Sequence, residues 1–362
     1  MFIFEKMATL SEAYREHPLN LHHIIPLDFS SAPNLPESHA WSLSKDDHDD
    51  DYLSNSNGSP SIPIIDLMDP NAMELIGHAC ENWGAFQLKN HGIPLSIIQE
   101  VENEAKRLFA LPADHKLKAL RSSGGATGYG SARISPFFPK FMWHEGFTIM
   151  GSPSEDVKKI WPNDYARFCD LMENYQKQMK VLAEQLTRMM LNFLDISNGE
   201  NKSQWDIGSS SNMCGVVQPN FYPPCPDPTR AMGLAPHTDT SLFTILHQTQ
   251  TATGLQVFNE GTKAWVPVHP HRNLLVVNTG DLFHIMSNAR FRCALHRVTT
   301  NKTVQRYSVA YFHCPPSDYV VFPLVGGVNN SVARFRGVTV KEYVGIKSKN
   351  FGEALSLIST SN

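Results

Sequence analysis

The chain has 362 residues, 31 of them basic and 35 acidic, for a formal net charge of −4; so even a balance excludes an electrostatic case for nucleic acid as a partner. Its six cysteines (Cys80, Cys169, Cys214, Cys225, Cys293 and Cys314) are scattered with no Cys-x-x-Cys pair, which excludes a disulfide frame or a thiolate zinc site and fits thiols kept reduced inside a cell. The opening apolar run at residues 1–4 meets Glu5 and Lys6 at once and no later window approaches a bilayer span, so a cytoplasmic protein with no membrane partner is expected.

In chain order, residues 1–60 are rich in His, Ser, Asp and Pro and contain an acidic run at 46–51 broken only by His48. This composition predicts a flexible N-terminal segment, with ordered structure beginning at Ile62. Residues 61–210 read as a helical and mixed region bracing the core. There, Ser96-Ile97-Ile98-Gln99 has capping-box form, and Ile97, Val101, Ala105, Leu108 and Phe109 recur at helical spacing until Pro112. A longer helix is predicted between 164 and 194, where Phe168, Leu171, Tyr175, Met179, Leu182, Leu186, Met189 and Phe193 form one apolar stripe. After Gly215 the pattern changes to short strands at 217–222, 242–246, 255–258, 265–268, 274–278, 283–286 and 307–313, separated by turns such as Asn278-Thr279-Gly280-Asp281. Short strands following a helical half predict a mainly β fold with flanking α-helices, a jelly roll over 211–320. Residues 321–362 are expected to form a helical extension.

The chemistry concentrates in the jelly-roll segment. His237 and Asp239 are two apart, so on a strand they aim at one point, and His296 arriving from another strand would add a second imidazole. Two imidazoles and one carboxylate occupy neighbouring positions on a metal and leave others open, as expected of a non-haem Fe(II) oxygenase. Arg306, two residues before Ser308, puts a forked cation and a hydroxyl on one side of a strand, suited to a carboxylate. Other histidines are weaker candidates. His269 and His271 flank Pro270 in a turn, His284 reads as a mid-strand core residue, and His91 as one that holds a turn.

Several motifs carry a family likeness: Ile62-Pro63-Ile64-Ile65-Asp66-Leu67, Trp83-Gly84-Ala85-Phe86, Asn90-His91-Gly92-Ile93-Pro94, Asn220-Phe221-Tyr222-Pro223, the His/Asp/His set and Arg306-Tyr307-Ser308. From about 62 to 357 the chain resembles the plant-type 2-oxoglutarate- and Fe(II)-dependent dioxygenases. Ala132-Arg133-Ile134, Phe137-Phe138, the stretch 142–148 and the stretch 225–234 bring it nearest to the gibberellin 3-oxidases. The resemblance implies a double-stranded β-helix with iron at its open end, held by His237, Asp239 and His296. It implies that Arg306 and Ser308 bind the distal carboxylate of 2-oxoglutarate, with Tyr222 and Asn220 on the same co-substrate. It further implies that O2 is consumed, that succinate and CO2 are released, and that ascorbate supports activity. The implied substrate is a small molecule, a C19 gibberellin hydroxylated on its 3β carbon to give active hormone; Arg133, Phe138 and Trp143 are candidates to contact it, and Lys140 is a further basic side chain. Attack at C-2 or C-20 of the same skeleton or at several positions, an iron oxidase that dispenses with 2-oxoglutarate, and a non-catalytic hormone-binding jelly roll are the alternatives. One departure is His144, at a position where the subfamily carries a small serine.

Overall fold

The computed structural model describes residues 14–42, 61–194, 213–250, 252–325 and 332–360. The strands are β1 (Ile64–Asp66), β2 (Ala85–Lys89), β3 (Gly128–Gly130), β4 (Glu145–Met150), β5 (Cys214–Tyr222), β6 (Met232–His237), β7 (Phe243–Gln248), β8 (Leu255–Asn259), β9 (Ala264–Pro267), β10 (Leu275–Thr279), β11 (His296–Thr299), β12 (Arg306–Cys314), β13 (Val320–Val321) and β14 (Val338–Thr339). The large sheet runs β1-β2-β10-β7-β12-β5-β4-β3, the small one β6-β11-β8-β9, and β13 pairs with β14. From β5 to β12 the chain passes repeatedly between the two sheets, which is the jelly-roll weave. The large sheet is completed by β1 to β4, so it joins strands from 61–210 to strands from 211–320 in one unit.

Helices α1 (Ala72–Asn82), α2 (Leu95–Phe109), α3 (Ala113–Lys116), α4 (Ser154–Ile160) and α5 (Tyr165–Phe193) precede the weave, and α6 (Asp281–Met286) and α7 (Val340–Asn350) follow most of it. The stripe read from sequence lies on α5, where Phe168, Tyr175, Met179, Leu182 and Leu186 are buried. It joins Val217, Phe221, Tyr307, Val309 and Tyr311 of β5 and β12 in one apolar core. The alternate residues of the same strands, Gln218, Asn220, Tyr222, Arg306 and Ser308, face the cavity between the sheets. A period of two thus assigns one face of each strand to stability and the other to the site.

Three expectations are corrected. The segment 283–286 is not a strand but lies in α6, a single helical turn begun at Asp281, with Phe283, Ile285 and Met286 buried; a run that short has no periodicity to separate the two states. Ser96 does not cap α2, which starts one residue earlier after Pro94. Flexibility does not describe residues 14–42. Ile24, Leu35, His39 and Ala40 are buried, and Trp41 is tied by its backbone to Arg230 at 2.7 Å and by its indole N–H to the Phe141 carbonyl at 2.9 Å. The polar average of the segment hides a few apolar anchors whose pocket is supplied by the rest of the chain. The acidic run at 46–51 lies outside the described residues.

Candidate metal centre and its cavity

β11 pairs antiparallel with β6 so that His296 lies directly across from His237. Opposed residues in such a pair share a face, and the two imidazole centroids are 4.2 Å apart. Neither strand is among the predicted segments. β6 is an edge strand carrying Pro236, and β11 has four residues, so both fall below what a period-two pattern can register.

Asp239 lies two residues beyond the end of β6, so the strand rule does not place it. Its backbone carbonyl accepts from the Asp281 N–H at 2.8 Å, and the Thr244 hydroxyl donates to its Oδ2 at 2.6 Å. Gly280 makes this approach feasible, since a Cβ there would sit 2.2 Å from the Ser241 carbonyl oxygen and 2.9 Å from that of Asp239. The free Oδ1 then lies 3.7 Å from His237 Nε2 and 4.0 Å from His296 Nε2.

The histidine tautomers follow from their partners. Nδ1 of His237 faces the Ala235 carbonyl at 2.8 Å and Nδ1 of His296 the Ala294 carbonyl at 2.9 Å. A carbonyl only accepts, so each Nδ1 carries the proton and each Nε2 presents a lone pair. Burial, reinforced by the neighbouring His296, lowers the His237 pKa to about 3. For Asp239, burial pushes the carboxyl up, but His296, His237, the Thr244 hydroxyl and Lys347 outweigh it and the net shift is down. The set is two imidazole nitrogens and one carboxylate, with donor atoms within 4.8 Å of one another.

The register of the large sheet builds a second set. On β5 and β12, Arg306 lies across from Tyr222 and Ser308 across from Asn220. All four are buried. Nη2 of Arg306 donates to Gln248 Oε1 at 3.0 Å, while Nε and Nη1 are buried without a partner among the described residues. His144 accounts for the departure noted above. Its Nε2–H donates to Asn220 Oδ1 at 2.9 Å and its ring lies 5.0 Å from that of Tyr222. It occupies the space behind the Arg306 set, away from the cavity wall.

The profile of the 2OG-Fe(II) oxygenase superfamily matches residues 212–315, and that of the non-haem dioxygenase N-terminal region matches 62–166. Gibberellin 3-beta-dioxygenase 1 of Pisum sativum is 47% identical over 361 residues, covering 97% of this chain and 94% of that protein. The protein of the same name from Arabidopsis thaliana is 46% identical, covering 97% and 98%. Among solved structures, JOX2 in complex with 2OG, Fe and JA superimposes with a TM-score of 0.72 at 28% identity, covering 87% of this chain and 90% of that one. This chain belongs to the 2OG-Fe(II) oxygenase superfamily. It is a 2-oxoglutarate-dependent dioxygenase that uses Fe(II).

The side chains present fit both groups of such an oxygenase. Two imidazoles and a carboxylate are the donor types that non-haem Fe(II) takes, and the guanidinium nitrogens of Arg306 that lack a partner among the described residues are a fork of the shape a carboxylate fills. Both open into one cavity of about 280 Å³, which also touches Ile134, Phe137, Leu246, Val298, Val344 and Phe351.

The substrate candidates divide. Arg133 lines the cavity. Phe138 does not; it packs edge-on against Phe351 and lies over Trp41, and its neighbour Phe137 lines the wall instead, stacked on Phe351 at 4.9 Å. Trp143 does not reach the cavity either. It is buried against Leu35, Cys225 and Ala231, with its indole N–H on the Pro223 carbonyl at 3.1 Å, and it serves as the socket for Phe29 of the N-terminal segment. Adjacent positions in a short motif diverge like this because each side chain follows its own backbone turn. Lys140 is half-buried and donates to the Glu37 carbonyl at 2.6 Å. His284 bonds the Phe291 carbonyl at 2.6 Å, and the His91 ring accepts from the Ile93 N–H at 3.1 Å, closing a turn.

Two cationic side chains of the cavity were missed. Lys347 on α7 donates to the Thr238 carbonyl at 2.7 Å and the Thr238 hydroxyl at 3.0 Å, and is bonded to Asp281, which also accepts from Tyr343 at 2.8 Å. It therefore grips the residue between His237 and Asp239. A signal existed: Val340, Tyr343, Val344 and Lys347 fall on one helical face, and a lysine on an apolar stripe asks for a buried partner. The other is Arg121, beside β3, for which no sequence pattern gave notice.

Proposed function

We propose that this chain hydroxylates a C19 gibberellin on its 3β carbon in the cytoplasm, consuming 2-oxoglutarate and O2 and releasing succinate and CO2. One observation carries the reading: an intact His/Asp/His set and an open Arg306 fork share a partly apolar cavity, in a chain nearly half identical, end to end, to gibberellin 3-beta-dioxygenases. His237, Asp239 and His296 would hold the iron through Nε2, Oδ1 and Nε2. Arg306 and Ser308 would take the distal carboxylate of 2-oxoglutarate, with Tyr222 and Asn220 alongside. Iron bound there supplies the O2 activation and hydrogen abstraction that no amino-acid side chain provides.

The residues of the chain do the rest. Nδ1–H bonds to Ala235 and Ala294 orient the imidazoles, Thr244 orients the carboxylate, and Gln248 holds the guanidinium square to its ligand. The apolar wall excludes water and seats a rigid diterpenoid. Ascorbate would sustain activity by keeping iron reduced.

The test is anaerobic loading with Fe(II) and 2-oxoglutarate, then O2 with a panel of gibberellin precursors and mass spectrometry of products. A 3β-hydroxylated product with succinate formed in equal amount is expected. Oxidation at C-2 or C-20 would overturn the regiochemistry, and product without succinate would overturn the 2-oxoglutarate role. In the same assay Arg306→Gln should raise the KM for 2-oxoglutarate by about 10- to 150-fold, the equivalent of roughly 1.5–3 kcal/mol for a charge-assisted bond. Folding should be little affected.

A further inference from the structure

Four side chains lining the cavity carry fixed positive charge: Arg121, Arg133, Arg306 and Lys347. Lys347 is committed to the Asp281 carboxylate, and the Arg306 fork belongs to the co-substrate in the proposed function. Arg121 and Arg133 are left with no assigned counter-charge. They precede and follow β3, so the chain turns back and brings both to one wall. Arg121 is almost completely buried, with Nη2 donating to the Ser131 carbonyl at 2.8 Å and Nε without a partner among the described residues. Arg133 donates to the Gly125 carbonyl, and its guanidinium carbon lies 3.8 Å over the Tyr14 ring. The charged side chain acting on Arg121 is Arg133 itself, with Tyr14 as the further neighbour, and among the described residues no carboxylate acts on either. Burial, with Arg133 alongside, pulls Arg121 down to about 9, which still leaves it charged at neutral pH.

Two guanidiniums sharing a desolvated wall without an anion repel each other and keep donors unsatisfied. Such an arrangement is stabilised by an anion that enters with the ligand. We propose that Arg121 and Arg133 form a carboxylate-binding wall that seats the acid group of the substrate and so fixes which carbon faces the iron. The proposal deepens the gibberellin reading and rests on it. Arg133 is braced by the Tyr14 face, and Arg121 offers the unpartnered Nε–H, a planar donor suited to a carboxylate oxygen.

The test compares a C19 gibberellin precursor with its methyl ester on the iron-loaded enzyme, first in the unmodified chain and then in Arg121→Gln, Arg133→Gln and Arg121→Lys. The unmodified enzyme should show a KM for the acid about 10- to 100-fold below that for the ester. Each Gln variant should raise the KM for the acid about tenfold or more, leave that for the ester nearly unchanged and leave the KM for 2-oxoglutarate unchanged, whereas Arg121→Lys should recover part of the loss. The acid–ester comparison needs no variant, so a variant that fails to fold does not remove the test. Equal KM values for acid and ester, or equal losses on both in the variants, would overturn the carboxylate wall while leaving the gibberellin reading intact. Absence of gibberellin turnover in the unmodified chain would overturn that reading and this proposal with it.

Discussion

The two halves of the cavity are built in different ways. The iron and co-substrate half stands on paired strands: His237 faces His296 across β6 and β11, and Arg306 and Ser308 face Tyr222 and Asn220 across β12 and β5. The substrate half is assembled from Tyr14 of the N-terminal segment, Arg121 and Arg133 on either side of β3, Phe137, and Lys347 and Phe351 at the C-terminal end. A ladder fixes side-chain positions through backbone hydrogen bonds that are independent of residue type. Loops and chain ends fix them through individual contacts, each open to change by one substitution. In the proposed function, chemistry common to many substrates would therefore sit on the rigid half and the choice of substrate on the adjustable one.

The sharpest way to break this comparison is to remove a ladder residue. His237→Ala or His296→Ala should abolish Fe(II) binding and turnover, a larger loss than the roughly 10–100-fold caused by removing a ligand's hydrogen-bond partner. The apo protein should melt within a few degrees of the unmodified chain, because an open catalytic site is no structural staple. Iron titration and thermal melting of the apo forms check both halves of the statement. Substantial turnover in His237→Ala would mean that another group holds the metal.

Legibility in the sequence follows the same division. β12 is legible nearly to its ends and β5 over its last six residues because alternation and turn residues frame them, and α5 because its stripe runs for about seven turns. Residue type and spacing pick out His237, Asp239 and His296, which the structure brings together, even though β6 and β11 themselves leave no pattern. Asp239 does meet the two histidines, but not for the reason its spacing suggests: a loop held by Thr244 and Asp281 aims it, not a strand face. Trp143 and Phe138 show the limit: an aromatic cluster in sequence does not say which ring meets the cavity and which fills a socket beneath it. Arg121 was invisible because its meaning comes from Arg133, twelve residues on and across β3.

Lys347 joins the two halves, and its removal should have an intermediate effect. Lys347→Met leaves the buried Asp281 carboxyl without its lysine, with Oδ1 already unpartnered among the described residues, and breaking a buried pair costs about 3–5 kcal/mol. It also releases Thr238 between the ligands, so Fe(II) affinity should fall by about tenfold. Adding Asp281→Asn should restore most of the stability without restoring iron affinity. If the double variant bound iron as tightly as the unmodified chain, the grip of α7 on the ligand loop would be structural only, and the two halves would be uncoupled.

The smallest effect separates the two faces of a single strand. His313 lies on the face of β12 turned away from the cavity, fully buried against Phe243 and Tyr311, with neither ring nitrogen bonded among the described residues. Burial, aided by Lys180, lowers its pKa to about 3 from an ordinary 6.5. The unfolded chain therefore binds a proton that the folded chain refuses. Stability from this group is complete above about pH 6.5 and is lost as pH falls toward 3, at up to roughly 1.4 kcal/mol per pH unit. His313→Phe keeps a ring of similar size and removes both unbonded nitrogens. Urea unfolding should find it equal to or about 1 kcal/mol more stable than the unmodified chain at pH 7, and about 2 kcal/mol further ahead at pH 5. Turnover should be unchanged, because Arg306 and Ser308 project from the opposite face. Parallel stability curves between pH 7 and 5 would show that His313 is protonated in the folded protein, and a fall in turnover would show that the two faces of β12 do not act separately.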